Sequence, residues 1–258
     1  MKIIKIEDIP FTEMSYYPTG YKFLDSFFGG HGIVPCSTIL INSAAGDGKT
    51  TFVTQLFQSI YEYSKENGDP YTLAIFSGEQ NQNDFGRKAK WLNANDILFS
   101  EERYIENIRT MVEQNQLDFI ALDSLPYLKT YQNLPNKSRT SYILQEIVNI
   151  AKQLNLVIFI INHLTKAGTY KGSSEVGHIF DILLSITNKQ EETYNGISKV
   201  KYLTSTKNRY AATGEIYIRY KDGRFDFQDS ECYHEAKLAE ATEYNEIIET
   251  EEYLDEEG

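Results

Sequence analysis

The stretch that decides the fold is Ser43-Ala44-Ala45-Gly46-Asp47-Gly48-Lys49-Thr50. It fits the phosphate-loop pattern G-x-x-x-x-G-K-[ST], except that Ser43 stands where the first glycine belongs. Glycines in such a loop let backbone N–H groups surround a polyphosphate, because a side chain would block the approach. We expect Lys49 to reach the β- and γ-phosphates, the Thr50 hydroxyl to bind Mg²⁺, and the whole loop together with Thr51 to bind ATP.

The residues on either side of the loop favour this interpretation over a chance glycine-rich turn. Residues 37–42 form a short β-prone run before it. After it, apolar residues recur at helical spacing, at Phe52, Val53, Leu56, Phe57, Ile60 and Tyr61. Strand, loop and helix in this order is the setting that the motif requires, with the helix N-terminus facing the anion. If the backbone at Ser43 needs a positive φ, the serine would be strained.

Strand-like and helix-like segments alternate along the rest of the chain. Strands are predicted at 37–42, 71–76, 97–99, 117–123 and 156–161, with a lead-in strand at 2–6, and helices at about 20–28, 50–65, 83–92, 101–114 and 138–154. This alternation predicts an α/β fold with a mostly parallel central sheet flanked by helices. Four further strands, near 179–187, 199–206, 214–220 and 224–228, are expected to end the body, the last ones antiparallel.

The bulk composition bounds the class of protein. With 258 residues, 41% of them hydrophobic, the chain can bury one substantial core. It contains no apolar run of ~18 residues and no signal-peptide pattern at the N-terminus, so we expect no membrane span. Cys36 and Cys232 are far apart and form no metal-binding spacing. A reducing, cytoplasmic setting follows.

The negative charge is concentrated at the C-terminal end. Residues 229–258 hold twelve acids and one lysine and carry −11 of the net −12, which leaves −1 for residues 1–228. We therefore divide the chain into a core at 1–228 and an acidic tail at 229–258. A helix near 231–245 is conceivable, but the charge favours a solvated, partly disordered segment. The near-neutral core can still carry a basic groove. The tail either competes with DNA for that groove, docks a partner protein, or is a solubilising extension.

Three polar residues follow predicted strands, where ligands bind in such sheets. Glu79 is a candidate to orient the attacking water, and the alternative is an acid stabilised at a helix N-terminus. Asp123 follows four apolar residues at the end of a predicted strand. This is the Walker B pattern, in which the carboxylate holds Mg²⁺. His163 either senses the γ-phosphate or is a structural histidine. The segment Lys207-Asn208-Arg209 is either a solvated hairpin end or a pair of cations that reaches the ATP of a neighbouring subunit.

With these motifs in order, residues 15–228 resemble the RecA-type ATPases, and most closely the ATPase core of the RadA (Sms) family. The segments that carry the resemblance are Thr19-Gly20, Leu24-Asp25, Gly29-Gly30, Ile33-Val34-Pro35, Ser77-Gly78-Glu79, Asp118 to Ser124, His163-Leu164-Thr165-Lys166 with Gly168, Gly172, His178 and Asp181, Lys207-Asn208-Arg209-Tyr210, and Thr213-Gly214-Glu215-Ile216. The DnaB helicases share the general layout and are second.

The resemblance implies a RecA-like fold and a homo-oligomer, ring or filament, with ATP and Mg²⁺ at subunit interfaces. Lys207 and Arg209 would then act on a neighbour's ATP. Two loops would face single-stranded DNA, one at 126–139 with Lys129, Lys137 and Arg139, the other at 164–177 with Lys166 and Lys171. Tyr131 and Tyr170 are either base-stacking residues or ordinary loop aromatics.

The sequence also departs from the RadA pattern. RadA proteins have a four-cysteine zinc module and a Lon-like domain, and this sequence shows neither, while Tyr210-Ala211 replaces Phe-Gly. We therefore expect a stand-alone core, as in small phage-encoded recombination proteins of the RecA type. The expected function is a DNA-dependent ATPase of recombination or replication. The alternatives are a DnaB-type helicase motor and a KaiC-like ATP-gated regulatory module that does not bind DNA.

Overall fold

One mixed sheet runs through the part of the chain that the computed structural model describes, which is residue 5 and residues 14–163, 176–193 and 196–256. Its strands are β1 (Thr38–Ser43), β2 (Leu73–Ser77), β3 (Leu98–Ser100), β4 (Phe119–Asp123), β5 (Val157–His163), β6 (Ile182–Thr193), β7 (Gly196–Asn208), β8 (Gly214–Lys221) and β9 (Arg224–Asp226). Their order in space is β3-β2-β4-β5-β1-β6-β7-β8-β9. The first six in this order are parallel, and the last three are antiparallel to their neighbours. The predicted α/β class is confirmed.

The helices are close to where the periodicity predicts them. They are α1 (Lys22–Phe28), α2 (Lys49–Asn67), α3 (Gln82–Leu92), α4 (Ile105–Asn115), α5 (Asn136–Gln153), the short α6 (Val176–Ile179) and α7 (Phe227–Glu256). Local signals set several boundaries: the Asn81 side chain accepts the N–H of Asp84 at the start of α3, and Gly68 follows the end of α2. The predicted strand at 2–6 lies outside the described residues apart from Lys5. Among the described residues, no helix combines the length and apolar character needed to cross a bilayer.

Helices cover both faces of the sheet, and this explains the continuous apolar strands. On one face, α1, α2 and α3 enclose an aromatic core that includes Phe52, Phe57 and Phe159. On the other, α4 and α5 pack aliphatic residues such as Ile108 and Ile147 against the strands. Every residue of β1 is buried because β5 and β6 flank it and helices cover it. Burying one such side chain contributes about 1.5–3 kcal/mol, so the central strands are held firmly behind the loop that follows β1.

The acidic segment is more ordered than its charge suggests. It forms one continuous helix, α7, instead of a partly disordered tail. The Glu231 carboxylate accepts the backbone N–H groups of Lys22 (3.1 Å) and Phe23 (3.0 Å) at the start of α1. His234 stacks on Phe23 with 5.0 Å between ring centroids. A carboxylate is favoured there because the first N–H groups of a helix lack intrahelical partners. A division between a core at 1–228 and a tail at 229–258 stays a prediction.

Candidate nucleotide-binding site

The phosphate loop lies between β1 and α2, as its sequence predicts. Gly46 and Gly48 have φ values of +86° and +96°, a conformation that residues with a Cβ rarely adopt. A Cβ at Gly48 would also lie 3.3 Å from the Phe225 ring. Ser43 ends β1 and is not among the residues with positive φ, so the strain that its substitution could have caused does not arise. The two remaining glycines are therefore the ones that the loop geometry needs.

Lys49 is the first residue of α2, and its side chain folds back over the loop. Its Nζ donates to the carbonyl oxygens of Ser43 and Ala44, both at 2.9 Å, and to Ser43 Oγ at 3.2 Å. Burial lowers the pKa of Lys49, while the nearby carboxylates of Asp47, Asp123 and Glu79 oppose that shift. A phosphate oxygen is a stronger, charged acceptor than a backbone carbonyl. The ammonium group is thus placed to exchange its carbonyl contacts for phosphate contacts.

Thr50 and Asp123 form the pair expected to hold Mg²⁺. Thr50 Oγ1 donates to Asp123 Oδ2 at 2.9 Å, and this links the start of α2 to the end of β4. Asp123 is 1% exposed, and its Oδ1 is buried with no hydrogen-bond partner among the described residues. Burial raises the pKa of Asp123, and the Thr50 hydrogen bond opposes this. An orphaned carboxylate oxygen next to a hydroxyl fits a divalent cation that takes its remaining ligands from phosphate and water. The residues present therefore fit Mg²⁺.

Glu79 lies just beyond β2, and its carboxylate faces the neighbouring strands. Its Oε1 accepts hydrogen bonds from Ser124 Oγ (2.5 Å) and His163 Nε2 (2.7 Å). Burial raises the pKa of Glu79, but these hydrogen bonds together with the charges of His163 and Lys49 outweigh burial, so the pKa lies below its ordinary value. The helix that follows is capped by Asn81 instead. The geometry therefore joins Glu79 to β4 and β5, and not to the N-terminus of α3.

His163 ends β5 directly opposite Ser43 of β1. Its Nδ1 is buried without a hydrogen-bond partner among the described residues, and Nε2 contacts Glu79. The histidine thus connects the strand beside the phosphate loop to the candidate water-orienting acid. The two interpretations of His163, sensor and structural residue, share this contact.

The far side of the loop is held by residues that no motif in the chain singled out. Lys201 Nζ on β7 donates to the Asp47 carbonyl (2.9 Å) and to Asn188 Oδ1 (2.8 Å), and Asn188 Nδ2 donates to Asp47 Oδ1 (2.7 Å). The Lys201 ammonium also lies 4.6 Å from the centre of the Tyr220 ring. Ala44 and Ala45 are exposed at the loop, while Thr51 is buried in the first turn of α2. The antiparallel strands therefore support the loop from behind.

Lys207 and Arg209 lie at the opposite edge of the sheet. Asn208 pairs with Ile182 at the start of β6, and Arg209 forms an ion pair with Asp181 (2.7 Å), which also accepts two hydrogen bonds from Thr38. Thr38 and Ser43 are the two ends of β1, about 17 Å apart at the usual rise of a strand. Lys207 Nζ donates to backbone carbonyls near α6. Neither cation can therefore reach the phosphate loop of its own chain.

The predicted DNA-facing cations are only partly described. Lys129 is exposed on the segment that joins β4 to α5, and Lys137 and Arg139 are exposed in the first turn of α5, at the same edge of the sheet as the phosphate loop. Lys129 lies over the Tyr104 ring, 5.7 Å from its centre, and Tyr131 stacks on the same ring at 4.2 Å. Lys166, Lys171 and Tyr170 lie outside the described residues.

The sheet order and the phosphate loop after β1 are those of the RecA-like P-loop fold, with acids at the ends of β2 and β4. The same fold occurs in a separately solved ATPase domain, with a TM-score of 0.67 and 15% identity over 82% of this chain and 91% of that one. A DnaB-like replicative helicase, described with its interactions with primase, has a TM-score of 0.67 and 14% identity. The match covers 85% of this chain and 63% of the helicase chain. A KaiC-like protein from Pyrococcus horikoshii OT3 has a TM-score of 0.61 and 15% identity. The match covers 83% of this chain and 98% of the KaiC-like chain. At these identities the likeness concerns the fold.

In sequence, the chain is similar to curated proteins named DNA repair protein RadA. RadA of Streptococcus pneumoniae is 27% identical over 224 residues, which cover 84% of this chain and 50% of the relative. RadA of Salmonella typhimurium is 28% identical over 223 residues, covering 84% and 45%. The chain spans about half the length of these curated relatives, and no family model matches it. The predicted resemblance, with RadA first and DnaB second, is confirmed.

Proposed function

We propose that the chain is a DNA-dependent ATPase of the RecA/RadA type that acts in recombination or replication. It would bind single-stranded DNA as a homo-oligomer, with ATP and Mg²⁺ at subunit interfaces. The observation that carries the proposal is the convergence at one sheet edge of Lys49, the Thr50–Asp123 pair and the Glu79–Ser124–His163 cluster. Lys49 supplies a cation for the phosphates, Thr50 and Asp123 form a metal-binding pair, and Glu79 is an oriented base. Phosphoryl transfer to water needs these three groups together.

Each group has a defined task in this proposal. The backbone N–H groups of residues 44–49 and the Lys49 ammonium hold the β- and γ-phosphates. Thr50 and Asp123 are the protein ligands of Mg²⁺, which when bound neutralises charge on the phosphate oxygens. Glu79, whose pKa lies below its ordinary value because hydrogen bonds and nearby cations outweigh burial, is ionised near neutral pH. It accepts a hydrogen bond from the attacking water and aligns the water's lone pair.

The proposed DNA surface is the segment at 126–139, which leads from β4 into the first turn of α5, together with the loop at 164–177. Exposed aromatic rings next to cations support this role, because bases stack on such rings and phosphates bind the cations. Tyr127 is 45% exposed and Tyr131 is 62% exposed, and Lys129 lies beside the Tyr104–Tyr131 stack. The names of the RadA and DnaB-like relatives, which mention DNA repair and a replicative helicase, agree with this proposal.

Single-stranded DNA is expected to raise steady-state ATP hydrolysis by the purified protein about tenfold or more. The stimulation should weaken as salt rises, because cation contacts to phosphates release counterions. The measurement is turnover with and without an oligonucleotide over a salt series. Hydrolysis that ignores DNA at every salt concentration would contradict the proposal and favour a KaiC-like regulatory module. Stimulation accompanied by unwinding of a forked duplex would favour a DnaB-type motor.

Truncation of the acidic helix α7 gives a second protein for the same salt series, in which DNA affinity is measured. We propose that α7 beyond its anchored start competes with DNA or docks a replication or recombination protein. Residues 237–258 carry nine acids and one lysine, and a chain that ends at residue 236 keeps Glu231 and His234 in place. This truncation should tighten DNA binding at low salt, with the difference vanishing at high salt. Equal affinities at low salt would leave only the docking or solubilising role.

Arg209→Ala is expected to reduce turnover by about 10³-fold or more, the scale of an arginine that acts on a neighbour's ATP. The position of Arg209 at the edge away from its own phosphate loop supports action in trans. Arg209→Ala subunits, which keep an intact nucleotide site, should regain hydrolysis when mixed with Lys49→Ala subunits, which keep Arg209. Mixed assemblies that stay inactive although both variants assemble would refute action in trans. Arg87→Ala, on the exposed face of α3, is the matched control.

A further inference from the structure

Ser124 makes a contact with the candidate catalytic acid that the sequence did not predict. It is 1% exposed, and its hydroxyl donates to Glu79 Oε1 at 2.5 Å. His163 Nε2 approaches the same oxygen at 2.7 Å. Both acceptor directions of Oε1 are thereby used, whereas none of the described residues donates a hydrogen bond to Oε2. The carboxylate is anchored through one oxygen, and the other stays available as an acceptor.

The same serine begins the segment that leads to the exposed aromatic residues. Its carbonyl oxygen accepts the N–H of Tyr127 at 2.9 Å. Tyr127 packs against Gly78, the residue before Glu79, so closely that a Cβ at Gly78 would lie 2.5 Å from the Tyr127 Cβ. The Gly78 N–H in turn donates to the Asp123 carbonyl at 2.6 Å. Residues 124–127 therefore contact both the carboxylate of Glu79 and the backbone that carries it.

The outer end of this segment is tied to α4 and faces solvent. The Lys129 N–H donates to the Arg103 carbonyl (2.8 Å), and the Lys129 carbonyl accepts the N–H of Ile105 (2.9 Å). Tyr131 stacks on Tyr104 with 4.2 Å between ring centres, and its hydroxyl accepts from Asn107 (2.9 Å). A ligand that stacks on Tyr127 or Tyr131 would displace a short, tethered segment whose inner end touches Glu79.

We propose that Ser124 is a positioning residue, which holds the Glu79 carboxylate for the attacking water and couples it to single-stranded DNA bound on residues 125–131. The proposal rests on the function proposed above. A hydrogen bond from a neutral hydroxyl to an ionised carboxylate is among the stronger ones, and it fixes orientation as well as position. Loss of the hydroxyl leaves His163 as the single anchor of Oε1, so the carboxylate spends less time aligned with the water.

Ser124→Ala is expected to lower kcat about tenfold and to abolish most of the stimulation by DNA, while KM for ATP and the Kd of a fluorescent ATP analogue change less than about twofold. Ser124→Thr, which restores the hydroxyl, should recover most of kcat and of the stimulation. Ser124→Cys keeps the shape but is a weaker donor, so it should give an intermediate kcat. A purely structural role would not produce this ranking at constant Kd.

Ser64→Ala is the matched control, since Ser64 is 5% exposed and its hydroxyl bonds Tyr61 and Tyr71 at the far end of α2. It should keep the wild-type kcat and stimulation. Wild-type Kd for the analogue shows that each variant is folded, and if Ser124→Ala fails this criterion the Cys and Thr variants decide.

Wild-type kcat in both Ser124→Ala and Ser124→Cys would overturn the proposal, and so would loss of nucleotide affinity in parallel with turnover in the folded variants. If DNA stimulates no protein, wild type included, the proposed DNA function fails and so does the coupling. The basal kcat ranking then still decides whether Ser124 positions Glu79.

Discussion

Lys49→Ala is expected to reduce ATP hydrolysis to background and also to weaken nucleotide binding, so that this one substitution removes both functions of the phosphate loop. Lys49 is 4% exposed, and its ammonium is already held among loop oxygens at 2.9 to 3.2 Å. Removing it leaves the polyphosphate without its buried cation, and water cannot replace a fixed charge inside the loop. Steady-state turnover and equilibrium binding of an ATP analogue measure the two effects separately.

The matched control for Lys49→Ala is Lys65→Ala. Lys65 lies on the same helix, is exposed, and contacts the Tyr61 ring at 5.5 Å. It should leave turnover and binding unchanged, because its distance from the phosphate loop along α2 is about 24 Å. If Lys49→Ala keeps turnover within threefold of the wild type, the phosphate loop is not the hydrolytic site and the proposed function fails at its first step.

Glu79→Gln is expected to lower kcat by about 10² to 10³-fold while the affinity for ATP stays within a few-fold of the wild type. Glutamine keeps the shape of the side chain and can still accept the hydrogen bonds of Ser124 and His163 through its oxygen. It cannot take a proton from water, and it carries no charge to orient one. The measurements are single-turnover hydrolysis, which gives the rate of the chemical step, and equilibrium binding of ATP, which gives the affinity of the phosphate loop.

Glu66→Gln is the control for this change, because Glu66 is an exposed acid near the end of α2 and far from the loop. It should behave as the wild type in both assays. Rapid single-turnover hydrolysis by Glu79→Gln would show that another group orients the water, and His163, which shares the Glu79 oxygen at 2.7 Å, would then be the next residue to change.

The positions of the phosphate loop, Glu79 and Asp123 at the ends of strands could be predicted because each signal is local. The residue types follow a strand within a few positions, and the carboxyl ends of parallel strands meet at one edge. The Ser124–Glu79 hydrogen bond could not be predicted from the sequence. It depends on β2 lying beside β4, where Ser77 pairs with Asp123. Strand order is a property of the whole sheet, and it leaves no trace in the residues around either partner.

Two further features, the Lys201–Asp47 contact and the docking of α7, also could not be predicted from local sequence. Lys201 contacts Asp47 across 154 positions of sequence, and only the antiparallel strands after β6 bring the two together. In α7, the summed charge of the acidic segment predicted disorder, whereas a single acid, Glu231, meets the free N–H groups of α1. Net charge averages over residues, but docking depends on which one of them faces a partner.

The central position of β1 also sets the order in which the protein can be assembled during synthesis. β1 comes first among the described strands, yet its two neighbours are β5 and β6, which begin at residues 157 and 182. β2, β3 and β4 can pair with one another as soon as residue 123 has left the ribosome. The early strand must wait for more than a hundred residues, and closing so long a chain segment is slow. In the proposed function, nucleotide would therefore act as a ligand only after β5 and β6 have been synthesised, and it would stabilise a late step of folding, not the first.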